Sequence, residues 1–144
     1  MKIRNKLNLL VIGLIISILP TFAASNWIHI NNQTYMDTNS IRKESHFGSS
    51  YGNYYSVWTK NLSDESKTSL FLENYYKTKI WYYLSQHYYD CNNKSSAVKG
   101  GIIYDLKGDV IGSETVDDYN LTFHSIAPGT TGNAIYDYVC TGRF

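Results

Sequence analysis

The chain has 144 residues, 13 Lys and Arg against 12 Asp and Glu, and a formal charge of +1. That length suits one domain, and so even a balance, with no block of five or six basic residues, excludes the electrostatic footprint of a nucleic-acid-binding protein. Tyrosine is the compositional outlier, with 14 in a chain that is 15% aromatic.

The N-terminus reads as an export signal. Lys2, Arg4 and Lys6 form a basic start, and Leu7 to Leu19 is apolar apart from Asn8, Gly13 and Ser17. Pro20 then breaks the helix, and Thr21-Phe22-Ala23 presents small residues at a peptidase site. The apolar run of 13 residues falls short of the ~20 that span a bilayer, and a cleavage signature follows it. The expectation is a signal peptide over 1–23, with cleavage after Ala23 and Ala24 as second choice. Residues 24–144 then form the mature domain. No cysteine at the junction offers a lipid anchor, and no later run is apolar enough to span a membrane. Removing 1–23 takes three basic residues and no acid, so the remaining 121 residues carry a formal charge of −2. The expected location is the periplasm, the cell surface or the medium.

Trp27-Ile28-His29-Ile30 alternates as a short strand, with Ile28 and Ile30 on one face and Trp27 and His29 on the other. Asn31-Asn32 turns the chain and Thr34-Tyr35-Met36 returns it. Asp37 to Ser40 is polar and predicts another turn, with Ile41 dipping back into the core. Residues 44–53 are small and polar and predict an exposed loop. Tyr54 to Thr59 predicts a strand. Leu62 to Asn74 fits a variable loop or a short helix.

Lys79 to Cys91 is the longest β-favouring run. Parity places Trp81, Tyr83, Ser85, His87, Tyr89 and Cys91 on one face, with Tyr82, Leu84, Gln86 and Tyr88 on the other. Val98 to Tyr104 and Val110 to Val116 predict a hairpin closed by a type I turn at Asp105-Leu106-Lys107-Gly108. After Pro128, Thr130 or Thr131 caps a helix from Gly132 to Cys140. The whole reads as α+β, mainly β: antiparallel strands ending in one short helix.

Cys91 and Cys140 both lie in the exported part, where an even pair is expected to form a disulfide. Their separation, with no CxxC or regular histidine spacing, makes a poor zinc site. His29, His46, His87 and His124 form no HExxH or HxH pattern. A haem or metal site could arise only if histidine and tyrosine met in space, and a haem- or metal-binding module is the alternative reading. There is no GxSxG turn for a serine hydrolase, and Asp64-Glu65 and Asp117-Asp118 read as solvated turn residues. Gly100-Gly101 lies within a strand and suits a bulge or a close backbone approach. No enzyme and no cofactor are expected.

Tyr54-Tyr55, Tyr75-Tyr76, Tyr82-Tyr83 and Tyr88-Tyr89 are doublets, and on a strand each sends one ring to either face. Aromatic pairs suit sheet packing, while exposed tyrosines suit recognition. Because Cys91 shares parity with Tyr83 and Tyr89, a disulfide to the helix turns that side inward. Tyr82 and Tyr88 are then the outward candidates for binding.

The order of Trp27, Tyr35-Met36-Asp37 with Ser40-Ile41, Val57-Trp58, Asp90-Cys91, Tyr104-Asp105 with Gly108 and Val110, Ile126-Ala127-Pro128-Gly129-Thr130, and Val139-Cys140 resembles the surface-adhesin protein E family. The resemblance implies a bent antiparallel sheet with a C-terminal helix tied to it by the disulfide. It also implies an exported protein of a Gram-negative bacterium that adheres to host proteins. It does not extend to residues 62–80, and Phe123-His124 stands where the family tends to a tryptophan, so no family binding residue carries over. The expected function is an exported, non-enzymatic binding protein that recognises a protein partner, either a host extracellular protein or an envelope component. An envelope inhibitor or accessory protein has the same sequence character.

Overall fold

The structure is a computed structural model that describes residues 26–31, 33–45, 53–63 and 67–142. The proposed cleavage at Ala23, His46 and most of the predicted 44–53 loop lie outside these residues. The elements are β1 (Trp27–Asn31), β2 (Thr34–Glu44), β3 (Tyr54–Leu62), α1 (Lys67–Tyr76), β4 (Ile80–Asp90), β5 (Ser95–Asp105), β6 (Val110–Thr115), β7 (His124–Ser125) and α2 (Thr131–Tyr136). A π-helical turn over Asp137–Thr141 continues α2. The sheet is an antiparallel meander in the order β1-β2-β3-β4-β5-β6, and β7 pairs with β5.

The sheet buries one stripe against the C-terminal helix. Met36, Val57, Tyr89, Ile126 and Ile135 form the core, with Ile28, Ile30, Ile41, Tyr136, Tyr138, Val139 and Cys140 packed around it. Alternation explains the membership: Ile28 pairs with Met36 and Val57 with His87, placing these side chains on the same sheet face as Tyr89 and Cys91. Thr130 starts α2 as its N-cap, accepting from Asn133 N at 3.2 Å and donating to the Ala127 carbonyl at 2.7 Å. Gly142, at φ 65°, ends the π turn. Cys91 follows β4 and is bonded to Cys140, with Cα atoms 5.5 Å apart. The Tyr136 hydroxyl also donates to the Cys91 carbonyl at 3.1 Å. Helix and sheet are therefore tied at one point by both a covalent bond and a hydrogen bond.

Several boundaries differ from the sequence reading. The polar stretch Asp37 to Ser40 does not turn away but stays within β2. Pairing jumps from Asp37↔Trp58 to Arg42↔Ser56, and side chains fill the broken ladder. Ser40 Oγ accepts from Trp58 N at 2.8 Å and donates to the Asp37 carbonyl at 2.6 Å. Asp37 Oδ1 accepts from Asn26 N and Asn39 N, both at 3.0 Å. Polar residues that predict a turn here make a bulge instead, because their side chains replace backbone partners. β5 begins at Ser95 rather than Val98, because Asp90 Oδ1 caps the preceding turn by accepting from Asn92 N and Asn93 N. Residues 67–76 resolve as helix α1, so Tyr75-Tyr76 is a helical doublet and does not divide between sheet faces. The Asp105–Gly108 turn forms as expected, with Gly108 N donating to the Asp105 carbonyl at 3.0 Å.

Candidate functional site

The sheet face away from α2 carries an aromatic surface. Across it, His29, Tyr35, Lys60, Leu84, Ile102 and Ser113 stand opposite one another on six successive strands. The next row places Leu62, Tyr82 and Tyr104 side by side. Tyr82 and Tyr104 stack with centroids 4.5 Å apart and planes at 21°, and Trp81 meets Tyr82 edge-on at 5.1 Å. Lys60 Nζ lies 5.0 Å from the Trp27 ring and 5.2 Å from the Tyr35 ring, within cation–π range of both. Trp27, Lys60, Leu62, Trp81, Tyr82 and Leu84 together line an open cleft of about 250 Å³.

This arrangement offers flat apolar rings held by one another, with a cation among them. Burial, and secondarily the neighbouring Tyr104, hold the Tyr82 phenol above its ordinary pKa, so it remains a neutral hydrogen-bonding group. No ion pair engages Lys60 among the described residues. Such a surface offers contact area and aromatic stacking, and Lys60 is placed to meet an acidic group.

Of the two tyrosines expected to face outward, both lie on the side away from α2, but only Tyr82 reaches solvent. Tyr88 is 5% exposed. The chain leaving β6 crosses over it: Lys99 Nζ donates to the Val116 carbonyl at 2.6 Å and pairs with Asp118, and Phe123 packs 5.6 Å from the Tyr54 ring. Burial first, then Glu44 and Asp118, raise the Tyr88 phenol. Strand parity predicts direction but not what a later segment lays on top. Trp81 is the opposite case. Parity places it with Tyr83, yet a register shift between Ile80 and Tyr82 turns it beside Tyr82, where it is 51% exposed. Trp27 is legible from its strand, whereas Lys60 enters the site only through cross-strand pairing.

The three described histidines sit on separate strands. His29 packs edge-on to Tyr35 at 5.2 Å on the open face, His124 lies on β7, and His87 is on the helix-bearing face of β4. Among the described residues, no three His, Cys, Asp or Glu side chains approach closely enough to hold a metal ion. His87 lines a polar cleft of about 300 Å³ beside α2, and desolvation pushes its pKa down to about 4. A lowered folded-state pKa means that the unfolded chain binds the proton more readily. The His87 contribution is therefore complete above pH 6.5 and lost as pH falls towards 4. The expected loss is roughly 2–3 kcal/mol between pH 7 and pH 4.5. Urea unfolding at the two pH values checks it: His87→Gln should shrink the difference, and an unchanged difference would show that His87 does not titrate in this way.

A meander tied through a disulfide to a C-terminal helix, with an aromatic face left open, defines the class: a small antiparallel sheet domain closed by one helix. Solved structures of Haemophilus influenzae protein E share the fold. One crystal form matches at 15% identity and TM-score 0.54, covering 85% of this chain and 93% of that one. Another matches at 16% and 0.55, covering 85% and 89%. A structure of protein E from non-typeable Haemophilus influenzae matches at 17% and 0.53, covering 85% and 80%. Among curated proteins, none is similar in sequence. The surface-adhesin protein E family model matches residues 27–141, and the chain belongs to that family.

Proposed function

We propose that this chain is an exported, non-enzymatic adhesin that attaches to a protein partner through its open aromatic face. The partner is a host extracellular protein or an envelope component, and the protein acts at the cell surface, in the periplasm or in the medium after loss of residues 1–23. The observation that carries this reading is the cluster of Trp81, Tyr82 and Tyr104 beside Lys60. Rings held by mutual stacking lose little freedom when a partner covers them, so their contact area converts efficiently into affinity. Membership of a surface-adhesin family supports the same reading.

The test uses Trp81→Ala, because the indole is half exposed and its loss leaves the core intact. Exposed positions change stability by less than ~0.5 kcal/mol, whereas a binding hot spot loses ~2 kcal/mol or more, about 30-fold in Kd. Attachment of wild type and variant to a panel of host extracellular proteins is measured together with melting temperature. The expected result is a near-native melt with strongly reduced attachment. Wild type that binds nothing on the panel removes support for a host protein as partner, and a variant that binds like wild type moves the contact off this face.

A further inference from the structure

On the helix-bearing side, one row of paired residues crosses the sheet as Ile28, Met36, Thr59, Ser85, Gly101 and Glu114. Side chains shrink from Met36 to Gly101 along the row. Met36 and Thr59 are fully buried, but Ser85 and Gly101 leave the floor almost bare. In the adjoining row Gly112 is also bare, and the Tyr76 phenol rests on it so closely that a Cβ would fall 2.2 Å from the hydroxyl. Helix α1 therefore stands over a hollow, not a packed core.

That hollow is a cleft of about 470 Å³ between α1 and strands β4, β5 and β6. Its aromatic lining is Phe71, Tyr75, Tyr76 and Tyr83, and Glu114 is the one charged lining residue among those described. Phe71 and Tyr75 are 66% and 67% exposed, so two large rings stand open to solvent at the edge of the cleft. The rings are mutually ordered: Phe71 and Tyr75 lie 6.3 Å apart at 23°, and Tyr75 meets Tyr76 edge-on at 4.9 Å. Glu114 has no cationic partner among the described residues.

We propose that this cleft binds a small organic cation, an alkyl- or arylammonium whose apolar body lies on the glycine floor and whose nitrogen sits between the aromatic rings and Glu114. Aromatic faces carry partial negative charge and attract a weakly hydrated ammonium, and the carboxylate adds a full opposite charge. A neutral ligand would leave Glu114 unused, and an anion would meet repulsion from both. The missing side chains at Gly100 and Gly101 leave the apolar body a floor of backbone within the cleft, while Gly112 lets Tyr76 close its end. The site lies on the opposite sheet face from Trp81 and Tyr82, so it stands or falls independently of the adhesin surface.

The experiment titrates the mature protein with benzyltrimethylammonium, with its uncharged analogue carrying carbon in place of nitrogen, and with benzylsulfonate. Binding is read by NMR. The expected result is saturable binding of the cation, with its N-methyl protons shifted upfield by the rings and protein amide shifts confined to residues 68–76, 83–85 and 98–116. Glu114→Gln and Tyr75→Ala, both at exposed side chains, should each weaken binding about three- to tenfold. Trp81→Ala should leave it unchanged. The proposal is overturned by the absence of saturation up to ~10 mM, by equal binding of the uncharged analogue or of benzylsulfonate, by unaltered affinity in Glu114→Gln, or by loss of binding in Trp81→Ala.

Discussion

Reducing the Cys91–Cys140 bond is expected to lower the stability of the domain by about 4 kcal/mol, the loop-closure cost for a separation of 49 residues. That is a large part of the net stability of any small domain. The closed loop contains β5, β6, β7 and α2, so the bond restrains almost the whole second half of the fold in the unfolded chain. In the folded state the helix keeps other attachments. Ile135 is buried in the core, the Tyr136 hydroxyl bonds the Cys91 carbonyl, and Thr131 Oγ1 donates to Asn31 Oδ1 at 3.0 Å. The reduced protein should therefore remain able to fold but unfold at a much lower urea concentration. The check compares urea midpoints of wild type with and without reductant, and of a Cys91→Ser/Cys140→Ser double variant. The double variant should match reduced wild type and ignore reductant. A wild-type midpoint indifferent to reductant would show that the bond contributes nothing to stability.

Tyr89→Ala is expected to destabilise by about 3–5 kcal/mol, the usual cost of truncating a fully buried aromatic side chain. Tyr89 is 1% exposed and sits among Met36, Val57 and Ile135. Burial raises its phenol above the ordinary value, so no phenolate forms in the folded state at physiological pH. Its neighbour in sequence, Tyr88, points to the other face and is 5% exposed, so Tyr88→Ala should cost about 2–4 kcal/mol despite pointing away from the helix. Tyr82→Ala should cost far less, because its ring borders an open cleft. Thermal melts of the three variants check the order. Near-native melting of Tyr88→Ala would mean that the 116–123 crossing does not seal that face. This ranking also decides which tyrosine can serve as a binding probe: Tyr82 can, and Tyr88 cannot, because its loss would disturb the fold before any partner was added.

Much of the site was half legible. Alternation along β4 places Tyr82 on the face opposite Tyr89, and the same period places Trp27 opposite Ile28. What alternation cannot show is a break in itself. The shift between Ile80 and Tyr82 brings Trp81 into the aromatic cluster, and the bulge between Asp37 and Arg42 keeps a polar stretch within a strand. Both depend on side-chain hydrogen bonds or cross-strand register that no local pattern encodes. The groove under α1 was not legible at all. Gly101 comes 16 residues after Ser85 and Gly112 36 residues after Tyr76, and only the register aligns them with the strand and helix residues that make the missing side chains matter.

The sequence by itself determined most of the strands and their order and the C-terminal helix, the turns at Asp105–Gly108 and before Thr130, and the cysteine pair; it left α1 open between loop and helix and gave no sign of β7. These are local or composition-level signals, set by backbone sterics and by which side chains avoid water. Tertiary structure alone decided which outward-facing rings remain outside. A strand's period assigns each side chain to a face, but exposure depends on whatever distant segment packs there. At Tyr88 that segment is the 116–123 crossing, and at Tyr82 the cleft stays open.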